Sequence, residues 1–213
     1  MTQQIDAVVW DIGRVLVRWS IRALYEKLIA DPALLDWFLV NVVTEQWHFQ
    51  HDAGRPLAEM IAERSAQFPA EADLIAAYAP RWLETVPGPI DGTHALVAAL
   101  ADRGMPQFSI TNFGSDTWAM FRPTFPVLDH FGDIVVSGDE KLVKPDPAIF
   151  ALAARRFGHA PGAMLFIDDN LANIRAAAEC GWQVHHFVEA EALARDLVAR
   201  ELLLDDYGKV TSP

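Results

Sequence analysis

An aspartate, Asp11, closes the apolar run Ile5-Asp6-Ala7-Val8-Val9-Trp10 and is followed at once by Ile12-Gly13-Arg14. A carboxylate where a buried strand meets a tight turn is costly unless it is paired or bound to a metal. Gly13 lets the backbone approach a ligand closely. An N-cap on a following helix is the plainer reading, but Val15-Leu16-Val17, with β-branched valines on both sides of Leu16, makes a poor helix start. Asp11 therefore reads as a reactive group. Other residues able to do chemistry fall at comparable places. Thr111-Asn112 follows a strand expected over 107–110, Asp168-Asp169-Asn170 follows one over 164–167, and Lys144 stands ahead of Pro145-Asp146-Pro147. In open parallel sheets, ligands bind outside the carboxyl ends of the strands. Three carboxylates converging there raise one another's pKa unless a cation compensates. Oxygen ligands with no His or Cys beside them suit Mg²⁺ better than Zn²⁺. Thr111 offers a hydroxyl, Asn112 a backbone N–H and Lys144 a point charge, a cradle for a tetrahedral oxyanion. With an aspartate beside that cradle, the chemistry is phosphoryl transfer through an aspartyl-phosphate, or another displacement by a carboxylate nucleophile.

Taken singly, each residue has an ordinary explanation. Thr111-Asn112 suits a turn, a lone lysine is usually solvated, and Asp168-Asp169 suits a helix N-terminus. Asn173, four residues after Asp169 on the same helical face, either holds a neighbouring carboxylate or faces solvent. It is the joint placement at strand ends that these explanations leave unaccounted for.

The elements that must position these groups come in two blocks. Residues 20–86 contain no convincing strand and read as amphipathic helices over 21–29, 33–43, 57–68 and 71–82. Breakers separate them at Asp31-Pro32, Asp52-Ala53-Gly54-Arg55-Pro56 and Phe68-Pro69. Beyond Pro87-Gly88-Pro89 strands and helices alternate. Strands are expected over 107–110, 134–137, 164–167 and 183–187, and helices over 95–101, 148–157, 171–180 and 189–203. Such alternation implies an α/β fold with a parallel sheet and right-handed crossovers. The expected organisation is a core of residues 1–18 and 87–206, a helical insertion over 19–86, and a polar tail over 207–213.

Bulk properties narrow the class. The net charge of −12, with no basic run, argues against nucleic acid as a partner. It also repels anions at long range, so an anion site must attract locally. Cys180 is the only cysteine, which excludes an intrachain disulfide and suits a reducing compartment; its helical, Ala-rich surroundings make it a small buried hydrophobe. The opening Met1-Thr2-Gln3-Gln4 is too short and uncharged for a signal peptide, and no window is long enough for a transmembrane helix. A soluble cytoplasmic protein is expected, with its oligomeric state left open.

Four segments together resemble the ordered motifs of the haloacid dehalogenase superfamily of hydrolases: Asp11-Ile12-Gly13-Arg14-Val15-Leu16-Val17, Ile110-Thr111-Asn112, Lys144-Pro145-Asp146-Pro147, and Phe166-Ile167-Asp168-Asp169-Asn170 with Asn173. The resemblance covers nearly the whole chain and includes a helical cap inserted after the first motif. It implies a Rossmann-like core, Asp11 as nucleophile, and Mg²⁺ held by Asp11, the Gly13 carbonyl and the Asp168-Asp169 pair. It also implies Thr111 and Lys144 as oxyanion binders. The motifs are much less specific for the substrate, for which a small organic phosphate, a sugar phosphate by class, is expected.

The chain departs from the commonest phosphatase pattern at Gly13, where a second aspartate usually serves as general acid and base. That loss is worth about 10²–10⁴-fold in rate. A subgroup of capped sugar-phosphate phosphatases, resembling the glucose-1-phosphate phosphatases, carries the same Asp-x-Gly, with a Gln-His element, an acidic residue and Gly in the cap. Trp47-His48-Phe49-Gln50-His51-Asp52-Ala53-Gly54 looks similar, so His48 or His51 is a candidate to contact substrate or shuttle a proton, or else fills the interface. Trp37, Phe38, Trp47 and Phe49 line an apolar pocket or pack the cap helices. Two rival functions stand beside the Mg²⁺-dependent phosphomonoester hydrolase: a 2-haloacid dehalogenase using the same aspartate, and a non-catalytic protein that binds a phosphate ligand.

Overall fold

A computed structural model describes residues 4–204; the tail expected over 207–213 lies outside the described residues. The strands are β1 (Ala7–Trp10), β2 (Val17–Arg18), β3 (Gly88–Pro89), β4 (Gln107–Thr111), β5 (Asp133–Val136), β6 (Met164–Asp168) and β7 (Gln183–His186). Five of them form a parallel sheet in the order β5-β4-β1-β6-β7. All four residues of β1 are buried because helices cover both faces of the sheet. The two-residue period divides them: Val8 and Trp10 join a core that includes Leu96, Leu100 and Leu193, whereas Ala7 and Val9 face Phe150, Phe166 and Trp182. A single buried amide serves this layer. Gln107 accepts from Trp10 Nε1 at 3.0 Å and donates to the Val97 carbonyl at 2.9 Å.

The helices are α1 (Ile21–Tyr25), α2 (Pro32–Asn41), α3 (Glu45–Asp52), α4 (Leu57–Gln67), α5 (Ala72–Ala76), α6 (Thr93–Asp102), α7 (Ser115–Phe121), α8 (Ser137–Glu140), α9 (Pro147–Phe157), α10 (Leu171–Glu179) and α11 (Ala190–Ala199). Between β2 and β3 the described chain has helices and turns without a strand. Where it leaves and returns, Val17 pairs with Pro89 and Arg18 with Gly88 in an antiparallel ribbon. Among the described residues no helix is long and apolar enough to cross a membrane.

The five strands of the parallel sheet follow the expected positions to within about two residues, whereas β2 and β3 fall where the sequence suggests only boundaries; helices depart further. The expected helix over 71–82 breaks after Ala76, since Pro80 removes a backbone donor and disfavours helix in the residue before it. The one over 21–29 tightens into turns after Tyr25. The helices α3, α7 and α8 were not foreseen. In α3, Trp47, His48, His51 and Asp52 are all buried, so burial here does not follow an apolar stripe that periodicity would reveal. Cys180 is half-buried at the C-cap of α10, not fully enclosed.

Candidate active site

The carboxyl ends of β1, β4 and β6 meet at one pocket of about 160 Å³, lined on the core side by Asp11, Gly13, Asn112, Lys144, Asp169 and Asn173. Asp11 sits there because β1 runs between β4 and β6: its N–H donates to the Ile167 carbonyl at 2.8 Å, and its Oδ1 accepts from Ile12 N at 2.7 Å. Lys144 is the hub. Its ammonium, almost completely buried, lies 2.8 Å from Asp11 Oδ1 and 2.8 Å from Asp168 Oδ2. Asn112 anchors it from β4's exit, donating to the Lys144 carbonyl at 2.9 Å and accepting from the Lys144 N–H at 2.8 Å. Thus the Asn112 side chain holds the lysine's backbone rather than an anion. Thr111 is buried as the last residue of β4 and is not among the side chains lining the pocket.

Asp168 and Asp169 face different tasks. Asp168 is fully buried with both oxygens engaged: Oδ1 accepts from Asn170 N at 2.7 Å, Oδ2 from Lys144, and Asn173 Nδ2 reaches both at 3.1 and 3.0 Å. Asp169 is only half-buried and borders the pocket. The cap of α10 is Asn170, whose Oδ1 accepts from Ala172 N at 2.8 Å, so neither aspartate is occupied as a helix cap. One oxygen from each of Asp11, Asp168 and Asp169 lies within 4.8 Å of the others. Burial is the main force raising Asp11 to about 7; Lys144 opposes it, and the charges of Asp168 and Asp169 add to it. Asp169 is raised as well, first by burial and then by Asp168. Burial alone would weaken the Lys144 ammonium, but Asp11 and Asp168 outweigh it and hold the group above the usual lysine range.

The helical segment contributes the opposite wall: Trp19, His48, Asp52 and Trp82. Of the two readings of the aromatic residues Trp37, Phe38, Trp47 and Phe49, pocket lining does not hold. Phe38 and Trp47 are buried, Trp37 and Phe49 are partly exposed, and none of the four borders the pocket. Thr44 caps α3 by accepting from Trp47 N at 2.9 Å, and the i,i+4 spacing puts His48 and Asp52 on one face. His48 is packed 5.1 Å from the Trp19 ring, with Nδ1 2.9 Å from the Tyr78 hydroxyl. Burial, reinforced by His51, drops its pKa to about 3, so the ring is neutral and unsuited to carry a proton near neutral pH. His51 does not border the pocket. Its Nδ1 is 2.9 Å from the Arg55 carbonyl, and its ring lies flat against Gly114. Asp52 is absent from the candidate site residues expected from the sequence; its signals there are the His48–Asp52 spacing and its place as the acidic residue after Gln50-His51 in the cap element.

The contact of α3 with the loop after β4 has no slack. A Cβ at Gly114 would stand 2.0 Å from His51 Cδ2. Ser137 Oγ accepts from Phe113 N at 2.9 Å and donates to the Asp52 carbonyl at 2.6 Å, so one hydroxyl ties three segments together. Gly114→Ala is therefore expected to destabilise the protein by about 1–3 kcal/mol through overpacking and to lower kcat/KM by shifting α3. Thermal unfolding and steady-state kinetics on the same preparation measure both.

Residues 5–181 match the family model described as haloacid dehalogenase-like hydrolase. The chain belongs to that family. Phosphoglycolate phosphatase of Escherichia coli (strain K12) is 31% identical over 85 residues, 40% of this chain. The match spans 34% of that relative's length. A HAD family enzyme from Bacteroides thetaiotaomicron shares the fold with a TM-score of 0.71 at 20% identity, over 92% of this chain and 99% of that one. Its wild-type form has also been crystallised in complex with magnesium and inorganic phosphate (TM-score 0.65, 21% identity, 87% and 95% covered). L-2-haloacid dehalogenase from Xanthobacter autotrophicus, with chloropropionic acid covalently bound, matches with a TM-score of 0.63 at 19% identity, over 97% and 88%.

Proposed function

We propose that this family member is a Mg²⁺-dependent phosphomonoester hydrolase acting on a small organic phosphate, a sugar phosphate by class, through an aspartyl-phosphate on Asp11. The observation that carries this reading is the buried arrangement in which Lys144 spans Asp11 and Asp168 beside Asp169. The three carboxylates include no nitrogen or sulfur donor and fit a hard cation. Asp11, the Gly13 carbonyl and Asp169 hold Mg²⁺ in this reading, while Asp168, already engaged by Lys144, Asn170 and Asn173, keeps the lysine in place. Bound there, Mg²⁺ supplies charge neutralisation for the phosphoryl oxygens. Asp11 attacks phosphorus in line, and Lys144, which lines the pocket, stabilises the equatorial charge. Residues 19–86 act as a cap over a core of 1–18 and 87–206, and its closure excludes bulk water. The phosphatase named among the relatives and the phosphate complex of the Bacteroides enzyme favour this reading. A reducing, cytoplasmic setting suits the free thiol of Cys180.

Dehalogenation by the same aspartate needs no cation, and it leaves the pocket-lining Asp169 carboxylate without a task. A screen of phosphorylated metabolites with Mg²⁺, beside 2-haloacids in chelator, separates the two. Phosphate release that stops on metal removal and returns with Mg²⁺ is expected; halide release in chelator overturns the reading.

A further inference from the structure

Gly13 leaves this hydrolase without the proton-transfer aspartate that usually follows the nucleophile by two residues. We propose that Asp52, brought to the pocket by α3, is the general acid and base of the reaction; the assignment rests on the phosphatase reading above. Asp52 is buried, 8% exposed, and borders the same pocket as Asp11, Gly13 and Lys144. Its carboxylate accepts from the Gly114 N–H, while its Oδ1 has no hydrogen-bond partner. His48 Nε2 approaches that oxygen to 3.3 Å without the alignment of a hydrogen bond. A buried carboxyl oxygen with no partner costs free energy that packing does not recover, and a role in proton transfer accounts for it.

The surroundings tune the group for this work. Titratable neighbours face it from every side: His48 and His51 on its own helix, Tyr78 behind His48, and Lys144 across the pocket. Burial raises Asp52 to about 7, with His51, the Gly114 N–H and Lys144 pulling the other way. A group near the working pH can both give and take a proton. His48, held near 3, cannot. The space is there too. A Cβ at Gly13 would meet nothing within 4 Å, so the core side of the pocket is open where an acid would ordinarily stand.

The steps balance as follows. An Asp11 oxygen bonds to phosphorus as the ester P–O bond breaks, and the departing alkoxide takes the Asp52 proton. Water then gives a proton to the Asp52 carboxylate as its oxygen bonds to phosphorus and the Asp11 acyl-phosphate P–O bond breaks. Inorganic phosphate leaves, with Asp11 ionised and Asp52 protonated again.

The experiment uses the full chain with Mg²⁺, as wild type, Asp52→Asn, Gly13→Asp and the double variant. Substrates are a primary alkyl phosphate and 4-nitrophenyl phosphate, whose leaving group needs no proton. Asp52→Asn is expected to lower kcat on the alkyl phosphate by about 10²–10⁴-fold and to remove the limb of the pH profile near 7. With 4-nitrophenyl phosphate it should keep the burst of nitrophenolate and accumulate phosphoenzyme. Gly13→Asp in the Asp52→Asn background should restore at least tenfold of the loss, which a misfolded chain cannot do. Wild-type kcat and pH profile in Asp52→Asn overturn the assignment and leave the phosphatase reading standing. So does equal loss of burst and turnover without rescue. Absence of phosphate release from the wild type, or its survival in Asp11→Asn, overturns the phosphatase reading itself.

Discussion

Replacing Asp11 with asparagine is expected to reduce phosphate-ester turnover to background, a loss on the order of 10⁴-fold or more for a residue that forms the covalent intermediate. The amide keeps the shape of the side chain but cannot attack phosphorus. The fold should survive, because Lys144 retains Asp168 at 2.8 Å and the Asp11 backbone bond to Ile167 is untouched. Stability offers a second reading. Burial raises Asp11 to about 7 in the folded protein, above the value near 3.9 of an exposed aspartate. Its contribution is therefore present below that exposed value and is lost as pH rises through about 7. In metal-free protein, Asp11→Asn should unfold at a temperature equal to or above wild type at pH 8, with the difference shrinking toward pH 4. Full activity in the variant would remove Asp11 from the mechanism.

Lys144→Met should cost more in stability than any other single change at the site. It leaves three carboxylates with oxygens within 4.8 Å of one another and strips the buried partner from both Asp11 and Asp168. Breaking a buried ion pair in this way typically costs about 3–5 kcal/mol, which lowers Tm by on the order of 10 °C for a chain of this size. Because the deficit is one of positive charge, added Mg²⁺ should raise Tm further in the variant than in wild type. Turnover should fall together with phosphate affinity. An unchanged Tm in metal-free buffer would mean that Lys144 is not the counter-charge described here.

The sheet and its chemistry were legible because they are written in local patterns. Ala7-Val8-Val9-Trp10 is apolar at every position because both faces of β1 are covered, and a chain that repeats strand and helix must return its strand ends to one edge. The helical segment was read less well. Trp47, His48, His51 and Asp52 are buried on α3 by aromatic packing and long-range contacts to Gly114 and Ser137, none of which leaves a periodic apolar signal. Of the aromatic residues that the sequence left between pocket lining and helix packing, Phe38 and Trp47 are buried in the helical core and Trp37 and Phe49 are partly exposed, while Trp19 and Trp82 line the pocket.

The family, the α/β class and the kinds of side chain at the strand ends were determined by the sequence alone, since each depends on residue type and spacing along a few dozen neighbours. Only the tertiary structure decided who meets whom. It put Lys144 between Asp11 and Asp168, divided the two adjacent aspartates into a buried anchor and a pocket wall, and brought Asp52 to the pocket that Gly13 also lines. Those pairings join segments tens to more than a hundred residues apart. They are fixed by close packing and by the cost of leaving a buried charge unpaired, and neither is expressed in the order of residues along a single element.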